Sequence, residues 1–136
     1  MILGNYILDT NVIIKLWNKE ETIFNDILQE NEIIVIDEIL KELSKKERRL
    51  FKGELVMSER FMKLIPYRIE LHNIMAENFI KEINFDHIKG KFYYYKGKKI
   101  SKNDLLLIVA LKEESEFYLV TEDFNLSYIA KELLGE

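Results

Sequence analysis

Asp9 closes an apolar run. Tyr6-Ile7-Leu8 carries no polar alternation and is followed by Asp9-Thr10-Asn11, after which Val12-Ile13-Ile14 resumes. Such a run reads as a strand buried on both faces, the kind found inside parallel sheets. Open α/β sheets bind ligands beyond the carboxyl ends of their strands, where Asp9 would stand. The pattern recurs twice. Ile33-Ile34-Val35-Ile36 runs into Asp37-Glu38, with Glu42 one helical turn further on, and Phe117-Tyr118-Leu119-Val120 runs into Thr121-Glu122-Asp123. Asp104 opens a segment, Leu105 to Leu111, that is apolar all round. Each acid alone has a plain structural use as a helix cap or as a partner of the helix dipole. If the three strands are parallel neighbours, the acids converge on one edge of the sheet. Carboxylates gathered without counter-ions repel one another and resist ionisation. A divalent cation among them removes that conflict, and it can orient a phosphate, activate water and stabilise a leaving oxygen.

The elements that must position these acids follow from periodicity. Val12, Ile13, Leu16 and Trp17 form a helical stripe that breaks near Asn18 and resumes through Ile23, Phe24, Ile27 and Leu28. Asp37 is placed to cap a helix that runs into the charged stretch Ser44 to Arg49. From about Lys52 to Asn84 the apolar spacing reads as helical, with Pro66 as the break between two helices and His72 as an ordinary, partly buried histidine. Phe85 to Ser101 differs: lysines interleave with Phe92, Tyr93, Tyr94 and Tyr95, and Gly90 and Gly97 punctuate the stretch. Tyr93 to Tyr95 fits a short strand or an extended loop. Lysines that meet phosphates and rings that stack on bases suit single-stranded nucleic acid, although a solvated loop folding its rings onto the core fits equally well. Phe117 to Val120 is a third strong strand, and a last helix reaches Leu134. The order of elements describes one α/β domain over residues 1–136, with a helical and lysine/aromatic-rich insert at about 52–100.

Composition restricts the chemistry. With no cysteine and two histidines, His72 and His87, thiolate sites are excluded and a histidine-built zinc site is disfavoured. Oxygen ligands point to magnesium or manganese. A formal charge of −4 disfavours nucleic-acid binding by overall attraction, so any such role needs clustered lysines or a bound cation. No apolar run approaches a membrane span and no signal-peptide pattern opens the chain, so a cytoplasmic protein without membrane contact is expected.

The chain resembles a PIN domain, the nuclease family that includes the VapC toxins of toxin–antitoxin pairs. Tyr6-Ile7-Leu8-Asp9-Thr10-Asn11 resembles the family's opening strand, with Asp9 as the first acid and Asn11 two residues on. The stretch Val35 to Leu43 resembles the second motif and places its glutamate on Glu42 rather than Glu38. Ser101 to Ala110 resembles the third, with Asp104 as its acid. Leu119 to Asn125 resembles the fourth, with Thr121, Asp123 and Asn125. The resemblance implies a three-layer sandwich around a mainly parallel four- or five-stranded sheet flanked by helices. It implies that Asp9, Glu42, Asp104 and Asp123 hold Mg2+ or Mn2+ for hydrolysis of RNA phosphodiester bonds, with Asn11, Thr121 and Asn125 positioning carboxylates or water. Lys96, Lys98, Lys99 and Lys102, with Arg48, Arg49 and Arg60, would then hold the RNA backbone.

An antitoxin protein and a second copy of the chain are the partners this reading brings with it. The toxin of a VapBC-type pair and an RNA-processing enzyme outside such a pair share the same site. A PIN fold that docks RNA or protein without cutting is the rival from another class, separated by whether the acids bind manganese. A phosphatase-like enzyme on the same sheet edge lacks a glycine-rich phosphate loop to support it.

Overall fold

The computed structural model describes residues 4–19, 21–51, 54–57, 59–71 and 73–135, and their side chains except at 21, 46–51, 54–57 and 73–75. The chain begins with β1 (Asn5–Leu8), α1 (Thr10–Trp17), α2 (Glu21–Glu30), β2 (Glu32–Ile36) and α3 (Asp37–Glu47). It continues through β3 (Arg48–Phe51), β4 (Glu54–Met57), α4 (Glu59–Met62), a 3-10 turn at Ile65–Tyr67, β5 (Arg68–Ile69) and α5 (Asn73–Glu82). Then come β6 (His87–Lys89), β7 (Phe92–Tyr95), β8 (Lys98–Ser101), α6 (Lys102–Glu113), β9 (Tyr118–Val120) and α7 (Phe124–Leu134).

Four strands form one parallel sheet in the order β5-β2-β1-β9. The apolar runs that read as strands are therefore its three neighbours β2, β1 and β9, and their carboxyl ends lie side by side. Parallel pairing needs a crossover between strands, and helices supply it. The architecture is α/β and compatible with three layers, with α2 and α3 packed on β2 and α6 on β1 and β9. The sheet has four strands among the described residues, and Tyr93 to Tyr95 belong to a separate antiparallel sheet, β6-β7-β8.

The burial of α6 explains its composition. Leu105 to Ala110 are all buried, because β1 and β9, α5, α7 and β8 all pack around the helix. A helix covered on every side has no solvent face to fill with polar residues. Ser101 starts it: its side-chain oxygen accepts from the Asp104 N–H at 3.2 Å, an N-cap that fixes where the helix begins and so where Asp104 stands. No helix among the described residues is long and apolar enough to cross a membrane.

The middle of the chain departs from the helical expectation. α4 and α5 are helices, but β3 and β4 pair antiparallel from Arg48↔Met57 to Phe51↔Glu54, and β5 joins the edge of the main sheet beside β2. Leu55-Val56-Met57 is too short an apolar run for periodicity to separate strand from helix. β5 is two residues long, below what any pattern resolves. Pro66 lies inside the 3-10 turn just before it, between α4 and α5. Asp37 is the first residue of α3, ion-paired with Lys41 and Arg68 at 3.7 Å, rather than a cap outside it. His72 lies outside the described residues.

Two-residue turns join the strands of the second sheet. Register pairs Lys89 with Phe92 and Tyr95 with Lys98. Gly90 and Gly97 take positive φ, and Lys96 joins Gly97 in that region at φ 48°. Such turns match the twist of the flanking strands but place residues where side chains are strained, which is the physical use of glycine here. Asp86 accepts from the Gly97 N–H at 2.8 Å and ties the second turn back to the start of the sheet.

Candidate functional site

β1 and β9 leave the sheet together, and the Asp9 N–H still donates to the Val120 carbonyl at 3.2 Å. That last rung sets Asp9 beside Thr121. Asp9 is buried at 5% exposure, and each of its carboxylate oxygens has a donor. Oδ1 accepts from the Thr10 N–H at 2.7 Å, and Oδ2 accepts from the Thr121 hydroxyl at 2.7 Å. The Thr121 oxygen in turn accepts from the Asp123 N–H at 3.0 Å. One hydroxyl thus orients Asp9 and fixes the backbone from which Asp123 projects. Asp123 also caps α7, accepting from the Leu126 N–H at 3.1 Å.

Glu42 arrives from α3 and is held from two directions. The Thr10 hydroxyl donates to Oε2 at 2.8 Å, and the Asn103 amide donates to Oε1. These bonds link the first turns of α1 and α6 through one carboxylate, and Asn103 is the immediate neighbour of Asp104. Glu38, one turn earlier on α3, is instead ion-paired with Lys41 at 3.3 Å.

The four acids act on one another. The Asp104 carboxyl is pushed up to about 7, first by burial and then by the charges of Asp9, Asp123 and Glu42, against the lowering effect of its hydrogen bond with Ser101. The Asp9 carboxyl is also raised by burial, with Asp123 and Glu42 adding to the shift and the Thr121 and Thr10 hydrogen bonds opposing it. Among the described residues no lysine or arginine is ion-paired with any of the four. Lys15 pairs with Glu122, Lys41 and Arg68 with Asp37, and Lys96 with Glu132.

An all-oxygen, anionic donor set to which no described lysine or arginine is ion-paired is of the type that suits a hard divalent ion. The present spacing is looser than a finished coordination shell: among the described residues, no three His, Asp or Glu side chains stand close enough to hold a metal ion.

The other expected residues divide. Thr121 positions Asp9, in line with the expectation. Asn11 is exposed on α1, and no hydrogen bond among the described residues ties it to a site carboxylate. Asn125 donates to the Lys99 carbonyl at 3.1 Å and ties β8 to α7. Lys96 is engaged with Glu132 at 3.4 Å. Lys98 lies 5.1 Å from the Phe124 ring centre and 4.9 Å from that of Tyr128, and Lys99 lies 3.9 Å from that of Phe92. Lys102 is exposed at the start of α6. Arg60 sits 4.6 Å over Trp17, while the side chains of Arg48 and Arg49 fall outside those described. Thr10 and Asn103 are the site residues that sequence reasoning missed. Both were visible inside quoted motifs, but only the fold brings them to Glu42.

Comparison with family models, with curated proteins and with solved structures returned no match.

Proposed function

We propose that this chain is a metal-dependent endoribonuclease with a PIN-like fold, holding Mg2+ or Mn2+ through Asp9, Glu42, Asp104 and Asp123. The observation that carries the reading is electrostatic. Burial, and then the charges of Glu42 and Asp123, raise the affinity of Asp9 and Asp104 for protons, and no described lysine or arginine is ion-paired with the four acids. Supporting it is the setting at the carboxyl ends of parallel strands, where α/β sheets bind ligands. When bound, the cation supplies positive charge that orients the scissile phosphate and lowers the pKa of attacking water.

This chain's own residues supply position and a proton site. The Thr121 hydroxyl aims Asp9, and Thr10 with Asn103 aims Glu42, so the carboxylates are oriented before substrate arrives. In the metal-free protein the Asp104 carboxyl is pushed up to about 7, so proton and cation compete for it and a bound cation would hold it ionised. Phe124, 71% exposed and the residue after Asp123, offers a ring on which a base can stack, with the Lys98 ammonium beside it.

The purified protein is expected to cut single-stranded RNA in Mn2+ or Mg2+, to stop in EDTA and to resume when Mn2+ is restored. Cleavage unaffected by chelation, or none in any divalent ion, would remove the proposal. The resemblance carries the same reading to the toxin of a VapBC-type pair. In that case expression arrests a bacterial host, and co-expression of the small protein encoded beside it restores growth.

A further inference from the structure

The geometry points to a nucleotide subsite beside the carboxylates: a groove between the end of α5, β6-β7 and the start of α6 that seats a base of single-stranded RNA next to the bond being cut. The inference rests on the ribonuclease reading and names where its substrate lies. The groove has a volume of about 650 Å3, within the range of small-ligand sites. Its apolar wall includes Phe85 and Tyr93, whose rings meet at 4.8 Å and 47°, and Ile88, which is 60% exposed. At its rim the His87 ring stacks on Tyr94 at 4.2 Å and 13°.

Charge and continuity favour RNA over a peptide as occupant. Lys81 and Lys102 line the groove against a single carboxylate, Glu77, in a chain whose formal charge is −4. A smaller cavity of about 150 Å3 shares Glu77, Ile80 and Lys102 with it and is also lined by Glu38, which is ion-paired with Lys41, and by Asn103, the residue that donates to Glu42. A strand whose base lies against Phe85 and Tyr93 therefore runs past Lys102 toward the acids. Lys102 is placed to meet the intervening phosphate. Rings for bases and lysines for phosphates are the combination that binds single strands with little sequence preference.

The test measures binding of a fluorescein-labelled single-stranded oligoribonucleotide by anisotropy in EDTA, where no cleavage occurs, and KM for its cleavage in Mn2+. Ile88→Glu and Lys102→Glu, each of which sets a carboxylate against the RNA backbone, are expected to weaken binding about tenfold or more, and to raise KM in proportion. Lys19→Glu, which makes the same change of charge at an exposed site on another part of the surface, is expected to bind within about twofold of wild type on the low worth of isolated surface charges. Wild-type affinity in both groove variants, or an equal loss in all three, would overturn the inference and leave the groove to a protein partner. The two readings fail separately. RNA that binds the groove but is not cut in Mn2+ sinks the nuclease and keeps the subsite. Cleavage with KM unchanged in the groove variants does the reverse.

Discussion

Replacing Asp104 with Asn is expected to abolish metal-dependent cleavage while making the metal-free protein more stable. The two effects share a cause. Asp104 is half-buried beside Asp9, Asp123 and Glu42, and its partial burial first, then their charges, push its pKa from 3.8 to about 7. An acid raised in this way binds more protons folded than unfolded throughout that interval. Its favourable contribution is complete below the unfolded pKa and is lost as pH rises through the folded value. The wild-type melting temperature in EDTA should therefore fall as pH climbs from about 4 to 7 and level off above that. Asn carries no charge to repel, so Asp104→Asn should flatten much of the slope and melt several degrees higher near pH 8. Asp9, whose carboxyl is also raised, leaves a residual slope of the same sign. Cleavage should fall by at least about 100-fold, the scale that loss of one fixed charge-stabilising group costs a polar active site. Thermal melts across pH and initial rates in Mn2+ read both effects. Full activity in the variant, or parallel melting curves, would contradict the account.

Leu107→Ala is expected to be the most destabilising of the single truncations along α6. Leu107 is 0% exposed in the middle of a helix packed on all sides. A Leu-to-Ala change in such a site costs about 2–5 kcal/mol, because the surroundings cannot close onto the space left behind. Native stability is only about 5–15 kcal/mol, so the variant should be partly unfolded at modest urea concentrations. The consequence reaches the site, since the same helix begins with Asn103 and Asp104. Urea denaturation measures it, and a loss under about 1 kcal/mol would mean that α6 is not the packed centre described here.

The parts of this fold that the sequence made legible are those where one physical demand acts over several residues. β1 and β2 are continuous apolar runs because interior parallel strands are covered on both faces, whereas β9 is an edge strand whose Tyr118 is exposed and whose Leu119 and Val120 are half-buried. α6 is apolar all round because it is covered on every side. Asp9, Asp104 and Asp123 stand at element ends, where a change of pattern marks their place. What stayed hidden depends on tertiary partners. Glu38 and Glu42 lie one turn apart on the same face of α3, so spacing cannot choose between them. The choice comes from Thr10 and Asn103, which reach Glu42, and from Lys41, which takes Glu38. Asn125 sits where a positioning residue could stand, but the Lys99 carbonyl is its partner. The hairpin β3-β4 and the two-residue β5 are too short for periodicity to distinguish from helix.

The most direct test of the central claim is a crystal of the protein soaked in Mn2+, with the ion located by its anomalous signal. Manganese is expected in contact with the Asp9 and Asp104 carboxylates and with at least one of Glu42 and Asp123. Excess manganese that leaves these acids empty, or a lysine or arginine ammonium or guanidinium lying among them, would contradict it.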